Sequence, residues 1–205
     1  MTATRIVVVR HGQAESNVPP LWTSAHHGYP LTELGHEQAR AAGESLRDRG
    51  VVAVYASRIQ RAQQTAAAIA DIVGLEPQSL PGVEEIDVGV HEGGHNDEVG
   101  PIAIEVFSRW WRDGDLDHGF EGGETGRSIA TRMRSALDQV ADARSGGPSV
   151  VVSHGGVMAV GLTEMCPELT PAFVSEHFLP NTGVVELVRD ATGWHCLSWD
   201  DLVPA

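Results

Sequence analysis

Two stretches of the chain place a histidine directly after a run of β-branched residues. Ile6–Val9 is followed by Arg10-His11-Gly12, and Val150-Val151-Val152-Ser153 by His154-Gly155-Gly156. Such short apolar runs read as buried strands. In open α/β sheets, ligands bind beyond the carboxyl ends of the strands. If the two strands are neighbours, His11 and His154 converge on one pocket. His11 can attack phosphorus or shuttle a proton. Arg10 can hold two phosphate oxygens with its planar fork, and Gly12 lets backbone approach a ligand closely. Taken alone, the three residues are better read as a solvated strand end.

A second cluster shifts that balance. Ser57-Arg58-Ile59-Gln60-Arg61-Ala62 follows another apolar run and puts Arg61 in the first turn of a helix. A helix N-terminus already favours anions, so an arginine there opposes the macrodipole and is poorly explained by stability. Arg58 still reads well as a solvated arginine. Glu84 and Glu85 precede a glycine-rich stretch; either carboxyl group, if close to the pocket, could protonate a leaving oxygen, and spacing does not choose between them. His26, His27, His91, His95 and His118 raise the question of a metal. No two share a helix at ligand spacing with carboxylate support, so no metal and no cofactor is assigned.

The elements needed to position these residues follow from periodicity and punctuation. Residues 18–31 read as a loop. Thr32 caps a helix running to about Arg49, which Gly50 ends. Val51 to Ala56 is a strand, and Ile59, Ala62, Ala66, Ile69 and Val73 mark an amphipathic helix stopped by Gly74. A short strand is expected at Gln78–Leu80, irregular structure at 86–101, and a helix within 99–112 carrying Ile104, Phe107, Trp110 and Trp111. Core packing is the expected role of those aromatic residues. Residues 113–123 read as loop, and Thr125 caps a helix with Ile129, Met133, Ala136 and Val140 on one face. The strand 149–153, a helix from Gly156 to Met165 and two late strands, Val184–Val188 and Trp194–Ser198, complete the chain, the last two forming a hairpin around Thr192-Gly193. Strands alternating with helices specify an α/β fold with a mostly parallel sheet.

Composition narrows the partners. The chain has 205 residues, 41% of them hydrophobic, which suits one globular domain. A net charge of -14 argues against nucleic acid and anionic membranes, and no apolar run approaches the ~20 residues of a membrane span. No signal peptide is visible, and Cys166 and Cys196 are too few and too far apart for a disulfide framework. A cytoplasmic protein is therefore expected.

Taken together, the motifs resemble the histidine phosphatase superfamily, branch 1, the phosphoglycerate mutase-like group. Arg10-His11-Gly12 continuing to Asn17, Leu31 through Ala39, Ser57 through Ala66, Glu85 with Gly89, Glu92 and Gly93, Gly122 through Thr125, Ser153 through Gly156, and Asn181-Thr182-Gly183 fall in the family's order. The resemblance covers nearly the whole chain, 1–205, as a single domain. It implies a three-layer sandwich, with helices on both faces of a mostly parallel central sheet. It also implies roles: His11 as the phosphorylated nucleophile, Arg10, Arg61 and His154 around the phosphoryl group, Glu85 as proton donor by register, and Asn17 at the pocket rim. Ala14 stands where the family usually has Thr or Ser, Arg58 where Pro is common, and His91 where an aromatic residue is common. The function implied is a metal-independent phosphomonoester hydrolase acting on a small phosphorylated metabolite. A bisphosphoglycerate-dependent phosphoglycerate mutase and a non-catalytic phospholigand-binding protein are the rival readings, and a homodimer stays open. Segments 18–30 and 93–120 are expected to cover the pocket. The latter contains only Arg109 and Arg112 as cations against six acids, a poor clamp for a bisphosphate.

Overall fold

The strand that carries Arg10 lies in the interior of the sheet. A computed structural model describes residues 3–143 and 146–204. The main sheet contains β1 (Thr4–Arg10), β3 (Ala53–Ala56), β4 (Pro77–Ser79), β6 (Ser149–Ser153), β7 (Val184–Arg189) and β8 (Trp194–Trp199) in the order β4-β3-β6-β1-β7-β8. The first four in that order run parallel, β7 pairs antiparallel with β1, and β8 pairs antiparallel with β7. β6 inserts between β3 and β1, so β1 and β6 are neighbours, with Arg10 opposite Ser153. The residues just past those positions are His11 and His154.

Side chains alternate across the sheet as a pleated strand requires. Val7 and Val9 of β1, Val54 of β3, and Val150 and Val152 of β6 face one core. Helices α1 (Glu33–Leu46) and α2 (Gln60–Val73) cover it through Ala42, Leu46, Ala62, Ala66 and Ile69. Ile6, Val8, Tyr55 and Val151 face the opposite core, under α3 (Asn96–Trp111), α4 (Gly126–Ala143) and α5 (Gly155–Thr163). These are the expected three layers. None of the described helices is long and apolar enough to cross a membrane.

Several boundaries differ from the sequence reading, each for a local reason. α1 begins after Thr32, whose hydroxyl accepts from Gly35 N (3.0 Å), and ends at Leu46 rather than near Arg49. Leu46 is the last residue on its buried face, and the segment after it turns toward Gly50. β3 starts at Ala53 rather than Val51, where pairing with Ser149 begins. β4 is Pro77–Ser79, one residue earlier than expected. α3 starts at Asn96 and runs through Pro101, so part of the segment read as irregular is helical. Two two-residue strands, β2 (Leu21–Trp22) and β5 (Gly94–His95), pair antiparallel inside segments read as loop. A short helix, α6 (Pro171–Glu176), capped by Thr170, follows Pro167; neither short feature has enough residues to show a period.

Candidate active site

The site is assembled at the carboxyl ends of β1, β3 and β6. His11 N–H donates to Ser153 O (3.0 Å), which continues the ladder one residue past the strand. Gly12 then meets the start of α1: a Cβ there would lie 2.5 Å from Gly35 O, and one at Gly35 would lie 2.0 Å from Gln13 O. The absent side chain at Gly12 therefore serves helix-to-loop packing, where the sequence reading had given it to ligand approach. Gly12 N–H also donates to Thr65 Oγ1 of α2 (3.0 Å). Asn181 Nδ2 donates to His11 O (3.1 Å) and to Asn17 Oδ1 (3.3 Å), tying the first histidine loop to the turn before β7.

The tautomer of His11 follows from its partners. Nδ1 lies 2.7 Å from Gly12 O, which only accepts, so Nδ1 carries the proton. Nε2 accepts from Arg61 Nε at 3.1 Å, so it carries no proton of its own. Burial, reinforced by the charges of Arg61 and Arg10, holds the ring well below the ordinary histidine pKa of 6.5. His11 is thus a neutral imidazole with Nε2 as its nucleophilic atom.

His154 lies behind His11, with ring centroids 5.1 Å apart. It is fully buried, and its Nε2 shares a 2.8 Å hydrogen bond with Ser57 Oγ at the end of β3. Burial first, then the charge of Arg61, lowers its pKa well below 6.5 as well. Arg61, in the first turn of α2, is buried; its Nη2 donates to Thr23 O (2.9 Å). Arg10 donates from Nη1 to Leu179 O and lies 5.3 Å from the centre of the Phe178 ring. Burial pushes both guanidinium pKa values down while Glu85 opposes that, and both arginines remain cationic.

Glu85 and Glu84 separate cleanly. Glu85 lies in the cavity wall. Its Oε1 accepts from Ile86 N (3.0 Å) and Val157 N (2.9 Å), and its Oε2 from Gly156 N (3.2 Å). A Cβ at 156 would lie 2.7 Å from Glu85 Oε1, so a side chain there would displace the carboxylate from this position. Glu84 is bound instead by Arg58 Nε (2.7 Å) and Gly82 N (2.7 Å), and Arg58 lowers its pKa against burial. Arg58, read as solvated, is thus half of an ion pair outside the cavity.

The cavity measures about 240 Å³ and is bounded by Arg10, His11, Asn17, Arg61 and Glu85 at its polar end. Arg10 Nε and Arg61 Nη1 in this wall, and Nδ1 of His154 behind His11, are buried polar atoms with no hydrogen-bond partner. Buried polar groups are almost always paired, so three orphans around one imidazole mark unmet capacity for an oxyanion. Among the described residues, no cluster of three or more histidine, cysteine or carboxylate side chains could hold a metal. Arg109 and Arg112 are absent from the wall; they lie near Glu105 (3.9 Å) and against Asp113 (2.8 Å) on solvated surface.

Sequence reasoning missed several contributors. Phe107 reaches the cavity, where it was expected only to pack, while Trp110 is a core residue donating to His118 O (2.8 Å). Trp22, Asn96 and Phe178 also line it. Thr23 presents its carbonyl to Arg61, and Glu92 holds that loop by accepting from Thr23 Oγ1 and from Ser24 N (2.9 Å). Glu92 was visible as part of a motif, but nothing local revealed its task.

A three-layer α/β fold with paired histidines at adjacent parallel strand ends defines the protein as phosphoglycerate mutase-like. The chain belongs to the histidine phosphatase superfamily (branch 1), whose family model matches residues 6–202. It is 32% identical over 209 residues to the PE-PGRS family protein PE_PGRS11 of Mycobacterium tuberculosis, covering 95% of this chain but only 36% of that protein, about a third of its length. It is 32% identical over 167 residues to a Yersinia pestis protein named "Probable phosphoglycerate mutase GpmB", covering 77% of this chain and 71% of that one. The solved structure of mycobacterial glucosyl-3-phosphoglycerate phosphatase with VO3 superimposes with a TM-score of 0.79 at 23% identity, over 98% of this chain and 99% of that one.

Proposed function

We propose that the protein is a metal-independent phosphomonoester hydrolase that works through a phosphohistidine at His11 on a small phosphorylated substrate. The observation that carries this is the His11 ring with its proton on Nδ1 and an unprotonated Nε2, beside the unpartnered Arg10 Nε, Arg61 Nη1 and His154 Nδ1. Family membership and the phosphatase and mutase names of its relatives support the same chemistry.

In the first step the Nε2 lone pair forms a bond to phosphorus, and the phosphorus–oxygen bond to the leaving group breaks. The leaving oxygen keeps that electron pair and takes a proton from Glu85. Of the two carboxyl oxygens, Oε2 has the fewer backbone donors, so it carries the mobile proton. In the second step water attacks phosphorus and gives its proton to Glu85, and the phosphorus–nitrogen pair returns to Nε2. Splitting hydrolysis in this way makes each step easier. Arg10, Arg61 and His154 stabilise charge spread over the three equatorial oxygens. Asn17, tied to Asn181, sits at the rim. Two buried free cysteines support a reducing, cytoplasmic setting.

A mutase would share this core but must hold a second phosphate and keep water from the phosphohistidine. Arg10 and Arg61 are the only cations among the described residues of the wall, which favours hydrolysis. Supplying 3-phosphoglycerate with a 2,3-bisphosphoglycerate primer, alongside a phosphate-release screen of simple phosphomonoesters, tests this. Net phosphate release without stimulation by the primer is expected; isomerisation much faster than release would make the protein a mutase.

A further inference from the structure

Beyond the phosphoryl end the cavity changes character. Its apolar wall is made by Leu21, Trp22, Ile86 and Phe107, with Phe178 joining it to the phosphoryl end beside Arg10. Trp22 is held in place by its own ring nitrogen, which donates to Asn96 Oδ1 (3.0 Å), and by the β2–β5 pairing. Its ring centroid lies 6.3 Å from that of Phe107, within the range of aromatic contact. Asn96 at this end uses its Oδ1 to accept from Trp22. The charged groups of the wall are Arg10, Arg61 and Glu85, all at the phosphoryl end.

This arrangement discriminates between leaving groups. A carboxylate or second phosphate lying against Trp22 and Phe107 would lose water with no cation beyond the two that meet the phosphoryl group, and Glu85 would repel it. An apolar group would instead release ordered water from Trp22 and Phe107. At about 240 Å³ the cavity is smaller than the roughly 300–1,000 Å³ that encloses a drug-sized ligand, so a long group must leave it. Phe107 is shared with a neighbouring groove of about 400 Å³, lined also by Ile104, Trp111, Pro171 and Ala172 and, at polar positions, by Ser108, Ser175 and Arg112, the last paired with Asp113. Ile104 is 72% exposed there.

We propose that the substrate is a phosphomonoester of an uncharged, apolar alcohol, whose apolar group lies against Trp22, Phe107 and Phe178 and, when long, passes over Phe107 into that groove. The inference rests on the hydrolase reading of the same site and adds the substrate class. The test compares 2-phenylethyl phosphate with 3-phosphoglycerate, both of which leave as primary alcohols. kcat/KM is expected to be at least about tenfold higher for the phenylethyl ester. Phe107→Ala should lower the ratio between the two about tenfold. Because Phe107 packs on Trp110 and Trp111, a second variant uses Phe178, which is 53% exposed. Phe178→Arg places a cation at the rim and should raise the relative rate on 3-phosphoglycerate about tenfold. Equal or greater activity of the wild type on 3-phosphoglycerate overturns the proposal, as does a ratio indifferent to both variants. If neither ester is turned over, the hydrolase reading fails, and calorimetric titration with phosphonates decides the apolar site on its own. Tighter binding of 2-phenylethylphosphonate than of 2-carboxyethylphosphonate sustains it; equal or reversed binding ends it.

Discussion

Two buried neutral histidines should make this protein lose stability in mild acid, by an amount that can be worked out. Desolvation is the main reason His11 and His154 resist protonation, with Arg61 next for both. In the unfolded chain each imidazole titrates near its ordinary value of about 6.5. Above that pH neither state is charged at these rings and they contribute no difference. As pH falls below it, the unfolded state binds protons that the folded state refuses, so stability declines. Each such histidine contributes about 1.4 kcal/mol of loss between pH 7.5 and 5.5, and the pair about 2.7 kcal/mol. His195 acts in the opposite sense: Glu168 raises its pKa, so its contribution is present in acid and fades as pH rises. Urea denaturation at several pH values, in phosphate-free buffer so that no anion fills the site, measures the slope. His11→Asn should remove about half of it. A stability flat across this range, or a slope unchanged in His11→Asn, would refute the electrostatic description of the site.

Other expectations follow from the same geometry. Arg61→Met should lower kcat/KM by on the order of 10²–10³, because it removes a positioned donor, and near-normal activity with a large fall in Tm would contradict that role. Glu85→Gln should slow alkyl phosphates far more than activated aryl phosphates, whose leaving groups need no proton; Glu84→Gln, which loosens only the pairing with Arg58, should show no such split. Activity should survive exhaustive chelation and be inhibited by vanadate; restoration of lost activity by one divalent ion would overturn the assignment of charge neutralisation to arginines.

The sheet was legible because its strands are unusually plain. Ile6–Val9 and Val150–Val152 are β-branched runs whose ends carry the histidines, so the convergence of His11 and His154 needed only that β1 and β6 be neighbours, as they are. Arg61 stood out because an arginine in a first helical turn works against the macrodipole. Glu85 was chosen over Glu84 only through the resemblance, and the contacts that separate them, two amides at the start of α5 for Glu85 against Arg58 for Glu84, are non-local. The outer wall was the least legible part. Leu21 and Trp22 become a strand only by pairing with Gly94 and His95, more than seventy residues away, and two residues carry no period. Phe107 lies on a helix whose other aromatic residues do pack, and nothing in the spacing distinguishes it from Trp110. Ala14 shows the reverse case: it was noted as standing where Thr or Ser is usual, and it is fully buried, with its backbone N–H donating to Asn17 Oδ1.

The account turns on a phosphorus–nitrogen bond at His11. The most direct measurement mixes enzyme with a rapidly hydrolysed aryl phosphate, quenches within the first turnover under alkaline conditions that preserve phosphohistidine, and maps the phosphate by mass spectrometry. The account predicts one phosphate on His11, absent in His11→Asn and accumulating in proportion as the second step is slowed. Phosphate carried by another residue, or full turnover by His11→Asn, would contradict it.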